Sequence, residues 1–189
     1  MSSMKSALKH GEYILFLLCF IFFAKAKKCN AQATDVEKII ENNKLSWSDF
    51  SGQVNESSKY WATTNWRVTY KYKIVPLHKD TVVIDLSVTP VLKATSWVLP
   101  DRKSAELLVH EQGHFDFGLL VAAEFKKAIK STVLLRSDYN QKVSFIFNSI
   151  LSNVKQLEIQ YDEETNHMKN KKEQLRWNVK ISEMLRTAQ

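Results

Sequence analysis

The hydrophobic pattern changes period at Leu99-Pro100, and that change restricts the chain to an α+β architecture more firmly than any other feature. Upstream, Trp66, Val68, Tyr70, Tyr72 and Ile74 alternate with Arg67, Thr69, Lys71 and Lys73. Side chains two apart share one face of a strand, so this run reads as a half-buried strand that Pro76 ends. Val82, Ile84, Leu86 and Val88 repeat the pattern, with Asp85, Ser87 and Thr89 facing outward. The connection between the runs is short enough for a hairpin, which makes the pairing antiparallel. Lys93 to Val98 is a further strand candidate.

Beyond Pro100 the apolar residues recur every three to four positions. Asp101 is the expected N-cap of a helix over Ala105 to Val133. A second helix is expected from Tyr139 to Tyr161, with Val143, Phe147, Ile150, Val154, Leu157 and Tyr161 along one stripe. A third runs from about Asn170 to Thr187 and turns Trp177, Ile181, Met184 and Leu185 inward. Ahead of the strands, Thr34 to Asn43 reads as a short helix or arm, and Leu45 to Gly52 as a strand and turn. An antiparallel sheet in the N-terminal half thus packs on the first helix, and two further helices follow. Residues 34–189 make a single domain of adequate size for a core without staples.

Residues 1–33 have the layout of an export signal. Lys5 and Lys9 precede an apolar run, Ile14 to Phe23, which is too short to span a bilayer comfortably. Ala24-Lys25-Ala26 and Ala31-Gln32-Ala33 are both small-x-small cleavage sites, and the second is favoured. An uncleaved anchor is the alternative; cleavage leaves a mature chain with no stable membrane span, in the periplasm or outside the cell. The segment carries five lysines against one glutamate, so more than half of the formal net charge of +7 belongs to it. The remainder shows no basic block interleaved with aromatics, and nucleic acid is not an expected partner. Cys19 and Cys29 both fall in this segment, leaving the rest without a disulfide or a thiol ligand.

Chemistry therefore falls to His, Asp, Glu and Tyr. Within the first helix stands His110-Glu111-Gln112-Gly113-His114, an H-E-x-x-H pattern. Histidines four apart lie one turn apart on one face and can reach a single zinc ion, with Glu111 placed as general base. Catalytic zinc takes three protein ligands and keeps one position for water. Asp116 lies about 200° around the helix from His114, and Glu124 roughly 15 Å along it from that residue. His167 comes from a separate segment and is the favoured third ligand; His78, in the hairpin connection, is second choice. Gly113, between the histidines, implies a close neighbour. Tyr161 either donates to a reaction oxyanion or completes the apolar stripe of its helix. Asp162 either orients a ligating imidazole or caps a following turn.

Leu108-Val-His-Glu-Gln-Gly-His-Phe-Asp-Phe117 together with Tyr161-Asp162-x-x-Thr165-x-His167 resembles a family of predicted bacterial secreted zinc-dependent peptidases. Trp47-x-Asp49-Phe50-x-Gly52 and Ser96-Trp97 share the likeness. The resemblance implies a zincin-like fold, one zinc per chain held by His110, His114 and His167, and a protein or peptide substrate. In that family a Gly usually follows the last histidine, whereas Met168 stands here. Two rivals are an exported zinc-binding domain without catalysis, marked by a fourth protein ligand such as His78 or Asp162, and a metal-free envelope interaction module.

Overall fold

The computed structural model of the chain describes residues 37–76 and 78–189. The expected export segment and its cleavage sites lie outside these residues. The strands are β1 (Ala62–Thr63), β2 (Trp66–Pro76), β3 (Thr81–Leu92), β4 (Trp97–Val98) and β5 (Leu134–Leu135). The α-helices are α1 (Ala105–Ser131), α2 (Tyr139–Thr165) and α3 (Lys171–Ala188), and short 3₁₀ turns precede β1 and α1. The architecture is α+β, with antiparallel sheets in the N-terminal half and three helices after them.

β2 and β3 form the expected hairpin, in register from Trp66 opposite Leu92 to Pro76 opposite Val82. Trp66, Val68, Val82 and Val88 are buried on one face, while Ile74, near the hairpin tip, is half out in water. The face is covered by α1 and, where Tyr70 and Tyr72 meet Phe147 and Tyr139, by α2. α1 itself touches β2 and β3 on one side and α2 and α3 on others. That enclosure explains why Phe115, Phe117, Leu120, Val121 and Phe125 are all essentially fully buried. Two glycines allow the close approaches. A Cβ at Gly118 would sit 3.1 Å from the Trp66 ring, and one at Gly113 would sit 2.5 Å from the Tyr161 hydroxyl. The close neighbour implied at Gly113 is thus α2.

Several boundaries differ from the sequence expectation, each for a local reason. Ser104, not Asp101, caps α1, accepting from the Leu107 N–H at 3.1 Å; Asp101 belongs to a separate turn, Pro100–Arg102. Leu45 to Gly52 is not a strand: Trp47–Asp49 is a 3₁₀ turn closed by a Ser46/Asp49 capping box. Gly52 then lies against the Thr95 and Ser96 backbone, where a Cβ would come within 2.7 Å. The strand expected over 93–98 shrinks to β4, paired with β1. β1 and β5 are two residues long, too short to leave an alternation. α2 continues to Thr165, so Asp162 sits in its last turn and caps nothing.

Candidate metal centre

The first half of α1 forms the floor of the site. His110 and Glu111 are buried, 2% and 3% exposed. One turn on, His114 brings its Nε2 to 3.3 Å from His110 Nε2. The last turn of α2 crosses here, and Asp162 Oδ1 lies 3.2 Å from His110 Nε2 and 3.1 Å from His114 Nε2. Zinc bonds of 2.0–2.1 Å at tetrahedral angles place ligand atoms about 3.3 Å apart. The three donors therefore stand close to the spacing of three corners of a zinc tetrahedron. They form one group of ligand atoms within 4.8 Å that is able to hold a metal ion.

Hydrogen bonds at the far side of each ring decide what these atoms present to one another. Gln174, from α3, donates through its Nε2 to Tyr161 OH and to Asn178 Oδ1, both at 2.8 Å. Its Oε1 is thus left to accept from His110 Nδ1–H at 2.9 Å. Glu158 Oε1 accepts from His114 Nδ1–H at 3.1 Å and from Trp66 Nε1–H at 2.8 Å. With Nδ1 protonated on both rings, the neutral forms of His110 and His114 turn Nε2 lone pairs toward each other and toward Asp162 Oδ1. Asp162 Oδ1 is itself buried without a hydrogen-bond partner. Three acceptors in contact repel unless a cation sits among them, and this donor set fits a metal.

The titration behaviour agrees. Burial works against a charged His114, but the Asp162 and Glu158 carboxylates overcome it and push its pKa up to about 10. Burial likewise opposes an ionised Asp162, yet the His110 and His114 imidazoles hold it well below the usual carboxylate range. A proton on the cluster supplies in part the positive charge a metal would supply in full.

Glu111 is fixed by Thr64, whose hydroxyl donates to Oε2 at 2.6 Å. Both face a cleft of about 670 Å³ that also takes in β1, His110, His114, Asp162 and His167. His167 follows α2 in a turn where Asn166, His167 and Met168 all have positive φ, at 47°, 51° and 70°. Three left-handed L-residues in a row are costly, each on the order of 1–3 kcal/mol. This turn brings His167 Nδ1 to 3.2 Å from Asp162 Oδ1. His167 therefore lies beside the group of three donor atoms rather than in it, and Asp162 stands with the two histidines where the sequence reading expected His167. His78 is exposed in the hairpin connection and takes no part.

Tyr161 does not fit a role toward an oxyanion. It is fully buried, stacks on His110 with centroids 4.8 Å apart, and donates its hydroxyl to the His110 carbonyl at 3.0 Å. Burial raises its pKa far above the ordinary phenol range, so it stays a neutral spacer under the first histidine. Asp116 turns away from the donors and accepts from Gln112 Nε2 at 2.7 Å. Gln112 Oε1 accepts from the Leu45 N–H at 2.8 Å, tying the N-terminal segment to α1. Sequence reasoning missed Glu158, Gln174 and Thr64. None lies at a motif spacing from the histidines, and only the fold brings them near.

Fold and site together define an α+β protein in which two imidazoles and one carboxylate, able to hold a metal ion, meet at the floor of a cleft. The family model described as "Bacterial protein of unknown function (DUF922)" matches residues 42–168, and the chain belongs to that family. No curated protein and no solved structure matches the chain. The matched span holds the three donors, Glu111, Glu158 and His167, whereas Gln174 lies beyond it.

Proposed function

We propose that the protein is an exported zinc-dependent peptidase in which His110, His114 and Asp162 hold the metal and Glu111 is the general base. The observation that carries this reading is the meeting of two imidazole Nε2 atoms and a carboxylate oxygen at 3.1–3.3 Å, beside a buried glutamate in an open cleft. Nitrogen and oxygen donors at tetrahedral spacing suit zinc. When bound, zinc supplies a Lewis acid that polarises a carbonyl and makes water acidic near pH 7. The chain's part is proton transfer and orientation. Thr64 holds one Glu111 oxygen, and the other takes a proton from the attacking water and returns it to the leaving amine. Gln174 and Glu158 keep the imidazoles aimed. β1 lines the cleft and pairs with β4 along one edge, leaving the other to an extended peptide.

Export rests on the pattern of residues 1–33, and N-terminal sequencing of secreted material tests it. Among the described residues no helix is long and apolar enough to cross a membrane. The deciding experiment measures zinc per chain and hydrolysis of a denatured protein by the wild type and Glu111→Gln. The expected result is about one zinc in both and turnover in the wild type alone. Full activity in Glu111→Gln would overturn the mechanism. A second reading is a closed, non-catalytic zinc site, favoured by His167 lying within reach of Asp162 as a fourth donor. Stoichiometric zinc with no hydrolysis of any substrate would support it.

A further inference from the structure

We infer that the cleft selects peptides carrying an acidic side chain beside the scissile bond, read by Lys59 and Lys169; this rests on the peptidase reading above. The charges lining the cleft divide into two sets. At the floor, every acid is already committed: Asp162 to the donor group it forms with the histidines, Glu158 to His114, Trp66 and Lys155, and Glu111 to Thr64. Lys155 is neutralised there, 2.6 Å from Glu158 Oε2. At the mouth, Lys59 and Lys169 line the same cleft, both exposed, and neither forms an ion pair among the described residues. The floor carries its own compensation; the mouth carries none.

Both mouth lysines, though exposed, stand near aromatic rings of the cleft wall. Lys59 Nζ lies 4.9 Å from the Tyr60 ring centroid and Lys169 Nζ 5.8 Å from that of Trp61. Tyr60 packs edge-on against His167 at 4.8 Å, so the two rings and two ammonium groups form one wall beside the donor group. The rings bias the two ammonium groups toward this wall, where they can pair with an incoming anion. Lys59 comes from the segment just before β1 and Lys169 from the turn just after His167. An extended peptide lying along β1 would run past this wall and both ammonium groups. A carboxylate side chain gains an ion pair there, a neutral side chain gains nothing, and a basic side chain is repelled. Two isolated lysines do not make the continuous basic track that a polyanion requires, so a single acidic residue in a peptide is the better match.

The test uses the full zinc-loaded chain with Glu111→Gln, which binds without cutting. Eight-residue peptides that differ only in having Glu, Gln or Lys next to the central bond, labelled with an uncharged dye, are followed by fluorescence anisotropy. Glu is expected to bind about fivefold more tightly than Gln for each lysine engaged, and Lys more weakly than Gln. The preference should shrink as salt is raised from 50 to 300 mM. Lys59→Glu/Lys169→Glu, with its zinc content and circular dichroism unchanged, should reverse the order and favour the Lys peptide. Equal binding of all three peptides, a preference that survives the reversal, or a single-stranded oligonucleotide binding as tightly as the Glu peptide would each overturn the inference. Equal cleavage of all three by the wild type would do so while leaving the peptidase reading intact. A Glu preference in binding, with no cleavage of any peptide or protein, would sustain the acidic-ligand inference and remove the peptidase reading.

Discussion

α1 and the α2–α3 corner build the same site by opposite means. α1 places His110, Glu111 and His114 within five residues, and helical repetition alone sets two imidazoles on one face. The α2–α3 corner contributes single side chains, Glu158, Asp162 and Gln174, that reach the histidines across 44 to 64 residues of sequence. One region supplies donors by local geometry; the other completes and aims them by tertiary packing. The sharpest way to break this division is to exchange third-donor candidates. Asp162→Ala should cost more zinc affinity than any change outside the donor set, whereas His167→Ala should stay within the roughly 10–100-fold typical of an outer partner. Isothermal titration with zinc decides it, and a larger loss in His167→Ala would return the third position to that histidine.

The aiming role predicts the next effect. Glu158→Gln keeps the shape but weakens acceptance from His114 Nδ1–H, and Gln174→Leu removes the acceptor for His110 Nδ1–H. Each should lower zinc affinity by about 10–100-fold with little loss of helix content. The imidazole ¹⁵N signals of metal-free Gln174→Leu should show His110 released from a single tautomer. Retention of both affinity and tautomer would make α3 mere cover.

How much was legible in advance follows the same division. The hairpin, the three helices and the pair of histidines all rest on periods of two or 3.6 that a sequence displays directly. Asp162 was read as lying outside its helix, and four more residues of α2 turn it onto the histidines in the place expected of His167. Gln174 carries no local mark at all: it is one polar residue on a charged helix, and only the packing of Trp177 and Ile181 beside it pulls it inward. Tyr161 was ambiguous between stripe and site, and the stripe won because Gly113 leaves a slot for its ring.

That slot yields a stability prediction. Gly113→Ala gains about 1 kcal/mol of helix propensity but drives a methyl to within 2.5 Å of the Tyr161 hydroxyl. Displacing the ring breaks its bonds to the His110 carbonyl and Gln174, and a net loss of about 1–3 kcal/mol in chemical denaturation is expected. Tyr161→Phe/Gly113→Ala should recover part of it.

Titration gives a further, smaller handle on the metal-free protein. His114 rises from 6.5 unfolded to about 10 folded, so its contribution is fully present below pH 6.5 and is lost as pH climbs toward 10. Asp162, depressed on folding, contributes above its ordinary range near 3.8 and loses that contribution as pH falls below it. Metal-free protein should therefore melt at lower temperature at pH 9 than at pH 6, and zinc should flatten the difference. His114→Gln should abolish the alkaline decline.

The smallest effect concerns Met168, which stands where the resembling family carries Gly. Its φ of 70° is one a glycine adopts freely, and an L-residue adopts it at roughly 1–2 kcal/mol. Met168 also packs against the satellite cluster of Ala62, Val98 and Leu107, so its side chain returns part of that strain as burial. Met168→Gly removes strain and packing together and adds the backbone entropy of glycine, and the expected change in stability is less than about 1 kcal/mol. Zinc affinity should not move, because Asp162 is fixed inside the last turn of α2 while the substitution loosens only the turn beyond it. A fall in affinity would mean that the left-handed turn is held strained in order to present His167 to the metal, and would move that histidine from the wall of the cleft into the donor set.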